Sequence, residues 1–146
     1  MPAGDAAAGP AAAALSDAPV ERAPDGSEVR PLLRVRGGSM AHFRLPAGAT
    51  SKAVAHRTVE ELWHVLAGTG EMWRKSGACE RIVSLAPGLC VSIPAGTSFQ
   101  FRAGSQALEI IAVTMPPWPG AGEAIDVRGP WAAVEAAGAD RMRILR

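Results

Sequence analysis

From Val29 onward, short apolar or alternating runs repeat along the chain, separated by glycine and proline. Such runs bounded by turn formers read as β-strands, because successive strand side chains point to opposite faces. Nine segments fit: Leu32–Arg36, Met40–Leu45, Ala53–Thr58, Leu62–Ala67, Gly70–Arg74, Arg81–Leu85, Cys90–Ile93, Ser98–Arg102 and Ala107–Thr114. Between them lie Gly37-Gly38, Pro46-Ala47-Gly48, Gly68, Ser76-Gly77, Pro87-Gly88, Pro94-Ala95-Gly96 and Gly104-Ser105. Strands this short and this evenly spaced predict an all-β closed barrel or double-sheet jelly roll. No long helical pattern alternates with them, which excludes a parallel α/β fold. Leu108–Thr114 is nearly all apolar, the pattern of a strand covered on both faces. It runs into Met115-Pro116-Pro117-Trp118-Pro119-Gly120, whose three prolines forbid helix and central strand. That segment is expected to cross the surface or cover a barrel mouth. Trp131–Gly138 predicts one short helical turn.

Residues 1–28 have a different texture. Ten are Ala, four Pro and three Gly, with five acids and one base. The prolines interrupt helix and few large side chains are present to anchor the segment, so it reads as a disordered tail. The barrel is then expected over 29–120, and 121–146 as a C-terminal extension packing on it.

Composition narrows the function classes. The 146 residues suffice for one domain, 48% apolar and 20% charged, with a net charge of +1. That charge, without a basic stripe, argues against nucleic acid as a partner. No apolar run approaches the roughly 20 residues of a membrane-spanning helix, and the N-terminus lacks the basic and Leu-rich regions of a secretory signal. Cys79 and Cys90 are the only cysteines. They are too few for a disulfide scaffold and are expected as free thiols in the cytoplasm, Cys79 beside a turn and Cys90 buried.

Two stretches carry a resemblance. The first is His56-Arg57-Thr58-Val59-Glu60-Glu61-Leu62-Trp63-His64-Val65-Leu66-Ala67-Gly68. The second is Pro87-Gly88-Leu89-Cys90-Val91-Ser92-Ile93-Pro94-Ala95-Gly96-Thr97-Ser98-Phe99-Gln100-Phe101. Together they resemble the two motifs of the cupin superfamily, in the Glu61-to-Gly68 spacing and in Gly88, Pro94 and Gly96. The resemblance spans roughly residues 32–115. It implies a cupin double-stranded β-helix, a jelly-roll barrel with a pocket inside one end, and a likeness to small homodimeric proteins that join their sheets.

In metal-binding cupins two histidines and a glutamate of the first motif and a histidine of the second hold one divalent metal. Imidazole and carboxylate suit Fe, Mn, Ni or Zn and leave positions open for substrate. Here Thr58 stands in place of one histidine and Phe99 in place of another, and the spacing from His56 to Glu61 is one residue short. His56 and Glu61 remain, as an incomplete metal site needing a further ligand or as a metal-free acid–base pair. Strand parity points Glu61, Trp63 and Val65 inward together and His64 outward. It points Thr58 inward with His56, and Phe101 inward with Phe99; Gln100 then faces out unless a bulge reverses it. His42 and His64 read as structural.

Trp63, Trp73, Phe99, Gln100, Phe101, Met115 and Trp118 are the candidates to line a substrate pocket around the pair, with Met115 and Trp118 at its mouth. Such a lining suits an apolar or aromatic small molecule. The reading divides between an enzyme of dioxygenase, isomerase or lyase type and a noncatalytic binding protein whose lost ligands leave a pocket for capture.

Overall fold

The computed structural model describes residues 9–135, which carry eleven strands. They are β1 (Glu21–Arg22), β2 (Glu28–Val35), β3 (Gly38–Leu45), β4 (Val54–His56), β5 (Glu60–Ala67) and β6 (Gly70–Ser76), followed by β7 (Cys79–Leu85), β8 (Cys90–Ile93), β9 (Ser98–Ala103), β10 (Leu108–Met115) and β11 (Ala124–Asp126). All nine expected strands are present. Two antiparallel sheets face each other, ordered β1-β2-β3-β10-β5-β8 and β11-β4-β9-β6-β7. This is the jelly-roll barrel expected of the sequence.

Alternation builds the core. On β5, Glu61, Trp63 and Val65 are buried while Glu60, Leu62 and His64 are exposed. On β9, Phe99 and Phe101 point into the barrel. Trp63 meets both edge to face, at centroid distances of 6.0 and 4.9 Å, and stacks on Phe43 of β3 at 6.1 Å. Val65, Met72, Leu85, Leu108 and Ile110 close the packing beneath these rings. The corner after β5 turns on Gly68, at φ +80°, where a Cβ would collide with the Ala107 carbonyl. A side chain is excluded there on two counts.

Several sequence expectations are corrected. β10 is not covered on both faces. Leu108, Ile110, Ala112 and Thr114 are buried, whereas Glu109, Ile111, Val113 and Met115 on the other face are only half-buried. Cys90 is exposed, because the alternation of β8 sends Val91 and Ile93 inward and Cys90 and Ser92 to the solvent face. Thr58 leaves the strand, since β4 ends at His56. Over the described part of Trp131–Gly138 there is a bridge instead of a helical turn, with Thr50 and Val134 exchanging backbone hydrogen bonds.

The segment read as a tail needs the fullest correction. Residues 1–8 lie outside the described residues, but Glu21–Ser27 folds against the barrel. β1 pairs with β2, Glu21 opposite Val29. A turn follows in which Ala23 N donates to Ser27 O and Gly26 N to Ala23 O, with Gly26 at φ +94°. Lys52 N donates to Asp25 O, tying this strap to the approach of β4. Backbone hydrogen bonds and one buried acid hold it, so it needs no large apolar anchors.

Candidate functional site

His56 closes β4, in one sheet, and Glu61 lies near the start of β5, in the other. Only Arg57–Glu60 separate them in sequence, so this link sets the gap between the two side chains. Glu123, just before β11, clamps it. Its Oε2 accepts from Thr58 N at 2.7 Å and Val59 N at 3.0 Å, and its Oε1 from Thr58 Oγ1 at 2.7 Å. Burial pushes the Glu123 carboxyl up, but these hydrogen bonds, helped by the charge of His56, outweigh it and hold the group below the ordinary glutamate range. Arg57 N also donates to Glu123 O. Thr58, expected inward beside His56, is engaged by this clamp instead.

Clamped in this way, His56 Nδ1 lies 3.0 Å from Glu61 Oε1, both side chains buried. The contact is close, but Nδ1 makes no aligned hydrogen bond. The other carboxylate oxygen, Glu61 Oε2, accepts from Trp63 Nε1 at 3.1 Å. The His56 ring packs edge-on against Phe99 at 5.2 Å and Trp118 at 4.9 Å. A histidine and a carboxylate are thereby set side by side among rings, an arrangement able to hold and pass a proton.

The pair borders a cavity of about 360 Å³ between the sheets. Phe43, Val54, Trp63, Phe99, Ala112 and Trp118 form its apolar walls. Its polar lining is His56, Glu61, the strap residues Glu21, Arg22 and Asp25, and Ser39 with Thr114, whose hydroxyls are 2.6 Å apart. Trp118 N donates to Ser39 Oγ and Arg34 Nη1 to Trp118 O, fixing the proline-rich segment across the opening.

Of the seven residues expected to bind substrate, Trp63, Phe99 and Trp118 line this cavity. Four do not. Phe101 is buried in the core beneath Trp63. Trp73 and Gln100 are register partners and share the opposite face of the second sheet, so neither reaches the cavity. Trp73 Nε1 donates there to Glu80, while Gln100 Nε2 donates to Ser51 O and Trp131 O beneath the C-terminal segment. Met115 lies on the outer face of β10 opposite Glu60. Sequence reasoning missed Asp25, Glu123 and the Ser39–Thr114 pair. The period-two pattern of β3 and β10 was the available signal for the last of these.

The remaining histidines are placed apart from the pair. His42 is buried on the outer side of β3 and contacts Glu109 at 3.0 Å. His64 is exposed, with Nδ1 3.2 Å from Cys90 Sγ. Both cysteines are free.

The metal set implied by the resemblance is not assembled. Among the described residues no group of three or more His, Cys, Asp or Glu is arranged to hold an ion. Thr58 is bound to Glu123, Phe99 presents a ring to His56, and Glu61 is shared between His56 and the Trp63 indole. Two donors turned toward each other do not fit a site that requires three or more protein ligands.

The two facing sheets and the polar pair within them define a double-stranded β-helix barrel. The chain belongs to the cupin family: the family model described as the cupin domain matches residues 41–114, just over half of it. Solved structures agree on the fold. KdgF from a Halomonas species superposes with a TM-score of 0.62 at 15% identity, covering 73% of this chain and 94% of that one. A Streptomyces PAC13 histidine-to-glutamine variant with uridine gives 0.66 at 11% identity, covering 82% and 92%. Oxalate decarboxylase from Bacillus subtilis gives 0.66 at 18% identity over 77% of this chain, which spans only 30% of that enzyme. No curated protein matches the sequence.

Proposed function

We propose that the chain captures a small, apolar or aromatic molecule in the barrel and acts on it by proton transfer through His56 and Glu61, without a resident metal. One observation carries this reading: a buried histidine–carboxylate contact of 3.0 Å bordering a cavity with largely apolar walls. The walls remove the ligand's apolar surface from water. The pair supplies the groups that take up and return a proton. That a PAC13 variant is seen with uridine makes a neutral nucleoside a reasonable first probe alongside simple aromatics.

Fragments that bind are expected to raise the melting temperature. A ligand at one hundred times its Kd adds about 2.7 kcal/mol. For a bound fragment with an acidic C–H, deuterium uptake from D₂O, followed by NMR, reads proton transfer directly. It is expected in the wild type and lost by at least tenfold in H56A and E61Q. Binding without exchange would favour the noncatalytic capture protein. About one metal per chain after dialysis, lost in H56A, would overturn the metal-free reading.

The proposal includes a homodimer. Leu62, Leu66 and Met40 are exposed on the outer face of the first sheet, contiguous with half-buried Ile111 and Val113. An exposed apolar patch of this kind marks an interaction surface, and a two-fold dimer would pair it with its own copy. Light scattering is expected to show a dimer for the wild type and a monomer for L62E, which places a charge at the centre of the patch. A reducing, cytoplasmic setting suits the two exposed thiols.

A further inference from the structure

The N-terminal strap contributes a third ionisable group to the cavity. Asp25 is 5% exposed and lies on the same lining as His56 and Glu61. Ser27 N and Ser27 Oγ both donate to its Oδ1, at 2.9 and 2.6 Å. Both side-chain hydrogen bonds of Asp25 thus fall on Oδ1 and none on Oδ2 among the described residues. The backbone on either side is pinned, by Lys52 N to Asp25 O and by the turn at Gly26. Ser27 is therefore a positioning residue that presents one carboxyl oxygen and occupies the other.

We propose that Asp25 faces the bound ligand as a carboxylic acid, donating a hydrogen bond from Oδ2 to a carbonyl-type oxygen of a neutral molecule. This rests on the reading of the cavity as a small-molecule site. Two donors on Oδ1 make it the acceptor oxygen, which leaves the acid proton to Oδ2. Burial, and not its hydrogen-bond partners, favours that state. Glu61 and His56 face it from β5 and β4, and Glu21 and Arg22 border the cavity from the strap. Arg22 Nη1 donates to Gly26 O, Arg34 Nη1 to Trp118 O, and Lys52 Nζ lies 3.2 Å from Asp126. Among the described residues no cation pairs with Asp25. Burial raises its pKa, as does the charge of Glu61, against the lowering effects of Ser27 and His56.

The test uses the full chain and two probes of one shape, acetophenone, which carries the acceptor oxygen, and α-methylstyrene, which replaces it with a methylene. Calorimetric titration of the wild type is expected to show acetophenone at least tenfold tighter. D25N is expected to keep that preference, because an amide accepts with its oxygen and donates with its nitrogen, as the protonated acid does. D25A is expected to lose it, and S27A to weaken it severalfold. Acetophenone affinity should fall for the wild type as pH rises through the raised pKa of Asp25 and stay level for D25N. Circular dichroism of each variant separates misfolding from lost recognition, and D25N carries the decision if D25A does not fold. Equal binding of the two probes by the wild type, or loss of the preference in folded D25N, overturns the role of Asp25 while the cavity reading stands. Binding of neither probe by the wild type overturns both.

Discussion

Replacing Trp63 by alanine is expected to cost about 3–5 kcal/mol of folding stability, the usual range for a fully buried aromatic. Guanidinium unfolding followed by far-UV circular dichroism would measure it as a lower midpoint. The indole sits where three rings converge, stacked on Phe43 and edge-on to Phe99 and Phe101. Its removal leaves a void that those rings cannot refill without leaving their own strands. W63F separates packing from chemistry. It keeps most of the apolar surface but leaves Glu61 Oε2 without the indole N–H. The expected cost is about 1–3 kcal/mol, the price of one unsatisfied buried acceptor. A W63F cost as large as that of W63A would show that the hydrogen bond, and not the ring packing, dominates.

The second large effect belongs to Glu123. E123A is expected to lose about 3 kcal/mol, because Thr58 N, Thr58 Oγ1 and Val59 N all lose an ionised acceptor. The pH dependence has a definite sign. A carboxylate with a lowered folded-state pKa stabilises the fold above its ordinary value of 4.5, and that contribution fades as pH falls through the lowered one. The wild type should therefore lose stability on acidification relative to E123Q, and the gap between them should close in acid. Asp25 works in the opposite direction. Its pKa is raised from 3.8, so the fold loses stability as pH rises from there through the raised value, and D25N should be spared that loss. Melting curves of the three proteins across pH 3 to 8 would show the wild type converging on E123Q in acid and losing stability relative to D25N as pH rises; parallel curves would rule out both assignments.

The legible part of the molecule is the part written in period two. Glu60 through Ala67 alternates so regularly that its inward set, Glu61, Trp63 and Val65, follows from the letters alone. The same parity sends Gln100 to the opposite face from Phe99 and Phe101, and β9 carries no bulge that would reverse it. The Trp73 ring is likewise buried, but on the side of the sheet it shares with Gln100. Asp25 and Glu123 were illegible for another reason. Each lies in a Gly-, Ala- and Pro-rich stretch without periodicity, and each acts on residues more than thirty positions away. Only the closing of the barrel brings them to His56. Cys90 shows the limit of reading burial from an apolar run, because a strand with one face in solvent exposes every second residue whatever its neighbours.

The strap gives the chain two unequal boundaries. The family pattern begins at residue 41, yet one side of the cavity is built from Ala23, Pro24 and Asp25, well upstream of it. A protein trimmed to residues 41–114 would keep His56, Glu61 and the three motif glycines Gly68, Gly88 and Gly96, but would lose β1, β2, Trp118 and the Glu123 clamp. It would also have a breached chamber. What is inherited as a fold and what is sufficient as a container are therefore different lengths of this polypeptide. The difference lies in the stretch whose composition least resembles structure.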